Sequence, residues 1–100
     1  MSTREQEAIL LDRCVAVGKG NEGGATSQIE ANVFRLAGMI IRTNYKAESA
    51  RLIAASETYF AVHPDELVPS AEIVRSGWII SAPRLRDSLE RLLAAKASQA

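Results

Sequence analysis

The sequence predicts an all-α protein, a small bundle of three to five helices. Three observations carry that prediction. Sixteen of the 100 residues are Ala and only five are aromatic, with 23 Leu, Ile and Val residues as the core-forming set, a mixture that favours helices. Apolar residues recur at steps of three and four along most of the chain, the period of one helix face. At two points where such a stripe begins, Ser stands three positions before Glu, the pattern in which each side chain satisfies a free backbone donor of a new helix.

The first helix starts at Ser2 with Glu5. Ala8, Leu11 and Val15, flanked by Ile9, Leu10, Cys14 and Val17, give it a broad apolar stripe. Gly18 is its expected stop, because glycine adopts the left-handed conformation without a Cβ penalty. The stretch "GKGNEGGATS", residues 18–27, then holds four of the six glycines in seven positions. A phosphate loop places Lys immediately before Ser or Thr at a helix start, usually after a strand. Here Lys19 precedes the glycine pair, the preceding segment is helical, and Glu22 would put a carboxylate beside the anion. Residues 18–26 are therefore expected to be a flexible connection between helices.

Ser27 with Glu30 opens the next helix, along which Ile29, Val33, Leu36 and Ile40 form a stripe. The ladder continues more weakly through Thr43, Ala47, Ala50, Ala54 and Ala61, with only Gly38 as a breaker before Pro64. A single helix over residues 28–62 would be roughly 50 Å long at ~1.5 Å per residue, against a radius of gyration near ~13 Å for a compact chain of this size. Either it breaks near Thr43–Lys46, where Thr and Asn are weak helix formers, or a second subunit covers the overhang.

Pro64 and Pro69 disfavour helix at the residues before them, so "HPDELVPS" is a connection or a single turn. In "AEIVRSGWII", a short helix capped by Ser70 and closed by Gly77 is favoured over a hairpin turning at Ser76-Gly77, because an isolated hairpin is marginal in water. Ser81, with Pro83 just inside, starts the last helix, whose Leu85, Leu89, Leu92 and Leu93 share a face. Residues 96–100 are expected to fray. The chain reads as one helical domain over residues 1–100.

Charge is balanced, with twelve Lys and Arg against twelve Asp and Glu, and each half of the chain is neutral. That leaves no whole-chain footprint for nucleic acid or anionic lipid. Cys14 is alone, which excludes an intrachain disulfide and fits a reducing compartment. The polar N-terminus carries no apolar signal region, and the longest apolar run, Leu36–Ile41, is far below the ~20 residues of a spanning helix. A cytoplasmic protein without membrane contact is the expectation.

Candidate chemistry is sparse. His63 stands near Asp65 and Glu66, but one His and one Cys cannot supply the four ligands of a closed zinc site, and His63 reads instead as a cation at a helix end. Cys14 lies within the apolar stripe and reads as packing. A small-ligand pocket would need Cys14, Lys19, Tyr45, Tyr59 or His63. No catalytic, metal or cofactor residues are assigned, and the expectation is a non-enzymatic protein.

Two regions are assigned to partners. Trp78, Ile79 and Ile80 follow Gly77 in a short connection, where they either plug the bundle or, with Tyr59 and Phe60, anchor another protein, with Arg75 and Arg84 at the rim. Ile40, Ala47, Ala50 and Ala54 are the expected contact of a homodimer, since small side chains let helices approach closely. The function expected is a regulatory interaction protein that binds its partner through an apolar helical face. One mode would be inhibition of a transcriptional regulator by occluding its dimerisation surface. The alternatives are a structural subunit, or a helix-turn-helix in "SGWIISAPRLR" with Arg75, Arg84 and Arg86 on phosphates. Against DNA binding, Arg86 with Glu90 and Asp87 with Arg91 sit at i, i+4, where their charges can pair within the helix.

Overall fold

Residues 3–98 are described in a computed structural model of the chain. They form five α-helices and no strand: α1 (Thr3–Gly18), α2 (Gln28–Ile41), α3 (Lys46–Val62), α4 (Ser70–Arg75) and α5 (Ala82–Ser98), with a 3-10 turn at Pro64–Glu66. Ser2, the expected cap of α1, and residues 99 and 100 lie outside the described residues. Helical backbone runs through Ser98, into the segment expected to fray.

α1 does not stop as the glycine rule placed it. Gly18 stays helical, and the left-handed residue is Gly20, with φ 79°. The Gly20 N–H donates to Val17 O and the Asn21 N–H to Ala16 O, the paired bonds of a Schellman ending. The same ending closes α4: Gly77 has φ 77°, its N–H donates to Val74 O, and the Trp78 N–H reaches Ile73 O. A short helix closed by Gly77 is therefore what forms, not a hairpin.

The inward face of α1 is also rotated from the expected stripe. Leu10, Cys14 and Val17 are buried along with Val15, while Ala8 and Ile9 face solvent. Glu7 continues the same row, one turn before Leu10, and is itself buried at 4% exposure.

α2 is the central helix, with eight of its fourteen residues buried and packing against all four others. Ser27 caps it, its Oγ accepting the Glu30 N–H at 3.2 Å. The reciprocal half of the capping box is displaced by one residue, since the Glu30 carboxylate takes the N–H and hydroxyl of Thr26.

The chain leaves helix after Ile41 and re-enters it at Lys46, so the continuous rod over residues 28–62 is replaced by a helical hairpin. That break removes the overhang a second subunit would have covered. The turn is held against α5: Asn44 donates its side-chain amide to Glu90 Oε2, and the Tyr45 hydroxyl donates to Glu90 O. Within the hairpin the helices approach closely at Gly38. A Cβ built there would lie 2.7 Å from Ile53 Cγ1 and 3.1 Å from the Ser49 carbonyl oxygen. The buried Ser49 hydroxyl donates to Gly38 O at 2.6 Å across the same contact.

Beyond α3 the connection is stitched to α2 by two side-chain amides, Gln28 donating to Glu66 O. Asn32 donates to Glu66 O at 3.0 Å and accepts the Val68 N–H at 2.9 Å. α5 starts at Ser81, whose Oγ accepts the Arg84 N–H, and buries Leu85, Leu89 and Leu93 as expected. The assembled bundle has a radius of gyration of 12.4 Å.

Candidate functional site

The residues that carry candidate chemistry are engaged inside the fold. Cys14 has no solvent exposure, and burial pushes its thiol far above the ordinary range, which disfavours the reactive thiolate. His63 ends α3 as its C-cap. Its ring stacks on Tyr59 at 4.5 Å between centroids, and its Nδ1 lies 3.4 Å from Glu66 Oε2. Tyr59 donates its hydroxyl to Glu66 Oε1; this bond first, and burial second, push the phenol up to about 12. Among the described residues no cluster of three or more His, Cys, Asp and Glu side chains is gathered.

The glycine-rich connection is fastened from both sides. Arg13, on α1, donates to the carboxylates of Glu22 and Glu30 and to Gly24 O, with its guanidinium 5.9 Å from the centre of the Phe34 ring. Hydrogen bonding to Glu30 raises the Arg13 pKa further. For Glu30, burial favours the neutral acid, but the bonds from Arg13 and Thr26 outweigh it and hold the carboxyl below its ordinary range. Arg51 donates to Gly18 O on the other side, and Lys19 lies 3.9 Å from Glu48. Lys19, the lysine a phosphate would need, thus already faces the Glu48 carboxylate.

The expected partner residues fall in two places. Trp78, Ile79 and Ile80 link α4 to α5, and burial corrects the assignment of Ile79: at 1% exposure it belongs to the core. Trp78 packs partly buried against that core, and Ile80 is 42% exposed. Glu7 ties this connection to α1, accepting the Ile80 N–H at 2.7 Å and facing Arg84 Nε at 3.3 Å. Arg75 pairs with Glu72, and Arg86 lies 3.8 Å from Glu90. Each of the three arginines proposed for phosphates therefore already faces a carboxylate.

Phe60 lies elsewhere, in a groove of about 430 Å³ between α2 and α3. Its apolar lining is Met39, Ile53, Phe60 and Leu67, with Arg35, Ser56 and Glu57 completing it. Met39 and Leu67 are 51% and 46% exposed, so the groove is an open surface, not an enclosed pocket. Tyr59 does not line it but packs edge-on against Phe60. A second hollow, lined by Arg42, Lys46, Ser49, Ala50, Ile53 and Glu57, shares Ile53 and Glu57 with the first. The two are one trough along the hairpin.

The expected dimer residues scatter around it. Ile40 lines a different groove, between α2 and α5. Ala47, Ala50 and Ala54 are exposed on α3, where Ala50 lines the trough and Ala54 lines a cleft beside Gly20, Gly23 and Gly24.

Met39, Ile53 and Leu67 escaped the sequence reading because each looks like an ordinary apolar position of its own segment. Glu7, Arg13 and Asn32 escaped it because their partners are distant in sequence. No helix among the described residues is long and apolar enough to cross a membrane. No known family pattern, characterised protein or solved structure matches the chain.

Proposed function

We propose that this protein acts without catalysis, by binding another protein through the α2–α3 groove and occluding the surface it covers, such as the dimerisation surface of a transcriptional regulator. One observation carries the reading: Met39 and Leu67 stand about half exposed beside Phe60 and Ile53 in a single groove. Completing the burial of each half-exposed side chain contributes about 1 kcal/mol. A partner helix that inserts apolar side chains between them would gain a comparable amount, and interfaces concentrate their energy at such packed centres. Phe60 keeps its expected role as an anchor, and Met39, Ile53 and Leu67 take the place of the Trp78 connection.

The test compares wild type with a Met39→Glu, Leu67→Glu variant and a Trp78→Ala, Ile80→Ala variant, all checked for retained helicity. A partner is captured by wild type, identified, purified and titrated by calorimetry. The groove variant should lose binding, the other variant should keep it, and added wild-type protein should reduce the partner's self-association in light scattering. Full binding by the groove variant refutes the proposal.

A further inference from the structure

We infer that the groove selects an amphipathic helix that carries carboxylates at one end, held there by Arg42 and Lys46. The inference rests on the reading of the groove as a docking site for protein and adds the chemistry and direction of its occupant.

Charge placement carries the argument. The chain is neutral overall, and five of its cations, Arg13, Lys19, Arg75, Arg84 and Arg86, each face a Glu, whereas Arg4, Arg51 and Arg91 form no ion pair among the described residues and lie outside the trough. Arg35, Arg42 and Lys46 form no ion pair among the described residues. All three line the trough, against one carboxylate, Glu57. A local positive surplus on a neutral molecule attracts and orients anionic partners, because unpaired rim charges act on encounter and register.

The surplus is also graded along the trough. Arg42 follows α2 and Lys46 begins α3, so both sit at the closed end of the hairpin. Phe60 and Leu67 mark the other end. From Lys46 to Phe60 the helix rises roughly 21 Å at ~1.5 Å per residue, which a partner helix of about four turns would cover. Its apolar side chains, spaced at i, i+3 or i+4 and i+7, would meet Met39, Ile53, Phe60 and Leu67, and its acidic end would lie over Arg42 and Lys46.

Fluorescence anisotropy with synthetic helical peptides of about 16 residues tests this. One peptide carries a leucine stripe and three Glu residues in its last turn; a second has Gln, and a third Lys, in their place. Wild type should bind the Glu peptide about tenfold more tightly than the Gln peptide and the Lys peptide most weakly, with the differences shrinking as salt is raised. An Arg42→Gln, Lys46→Gln variant should lose the discrimination yet keep its affinity for the Gln peptide. Equal binding of the three peptides by wild type, or an equal loss of Glu and Gln binding in the variant, overturns the acidic partner alone. If no peptide binds, or if Met39→Glu, Leu67→Glu leaves all binding intact, the docking reading falls as well. Binding to phosphatidylglycerol vesicles without discrimination among peptides, or a concentration-dependent dimer abolished by Met39→Glu, overturns the inference in favour of a lipid surface or a second copy.

Discussion

Replacing Gly38 by Ala sets two opposing effects against each other, and the structure decides which is larger. Gly to Ala inside a helix gains about 1 kcal/mol from backbone entropy. The new methyl group would stand 2.7 Å from Ile53 Cγ1, 3.3 Å from Ile53 Cδ1 and 3.1 Å from the Ser49 carbonyl oxygen. The Ile53 side chain can rotate away, but the carbonyl is backbone, so α2 and α3 must separate. Overpacking of this kind costs about 1–3 kcal/mol, and stretching the buried bond from Ser49 Oγ to Gly38 O costs about 1 kcal/mol more. The net effect is a loss of about 1–3 kcal/mol, or a fall in Tm of roughly 4–24 °C for a domain of this size. Thermal and urea unfolding followed by circular dichroism measure it. Gly23→Ala is the control, because a Cβ there meets nothing within 4 Å, and its stability should be unchanged or slightly raised. Combining Gly38→Ala with Ile53→Ala should cost less than the sum of the single changes by about 1 kcal/mol. A Gly38→Ala protein as stable as wild type would refute the close helix contact.

Two further outcomes follow from buried or coupled groups. Asn32→Leu removes the acceptor of the Val68 N–H while Glu66 O keeps the amide of Gln28, so one backbone donor is orphaned and stability should fall by about 1–3 kcal/mol, seen as a lower urea midpoint at constant m-value. Tyr59 is neutral-favouring in the fold, its phenol pushed from 10.0 to about 12 by the bond to Glu66. The stability it contributes is fully present below pH 10 and lost as pH rises through 12, because the unfolded chain releases the proton first. An ultraviolet titration should show the late phenol in wild type and an earlier one in Glu66→Gln; identical titrations in both would reject the coupling.

Helix ends governed by local chemistry were legible in part: Pro69, not Ser70, is the N-cap of α4, with no side-chain cap bond, and Gly20, not Gly18, takes the left-handed turn after α1. Ser27, Ser81 and Gly77 act within a few residues of themselves, and each caps or closes the helix the sequence assigns to it. The break at residues 42–45 was legible as one of two alternatives, since weak helix formers marked the place but only tertiary contact with Glu90 shows the turn held. The facing of α1 was not, because every position from Ala8 to Leu11 is apolar and the periodicity fits more than one rotation. The observed rotation also buries Glu7, whose partners Ile80 and Arg84 come from the far end of the chain. A charged residue in a core-facing row carries no warning in its own neighbourhood.

The groove was hidden for a related reason. In α3 only Ser49, Leu52, Ala55 and Ser56 are buried, and the facing contact on α2 is Gly38. Helices joined through such small groups sit close together, and the larger residues beside the contact, Met39 on α2 and Ile53 on α3, are then left on the flank. The bulk a wider interface would enclose is displaced to the surface, where Phe60 and Leu67 extend it into a trough. Close packing at Gly38 and apolar exposure at Met39 are in this way one geometric choice. A residue that wedges the hairpin apart would therefore reshape the groove as well as lower the stability of the fold.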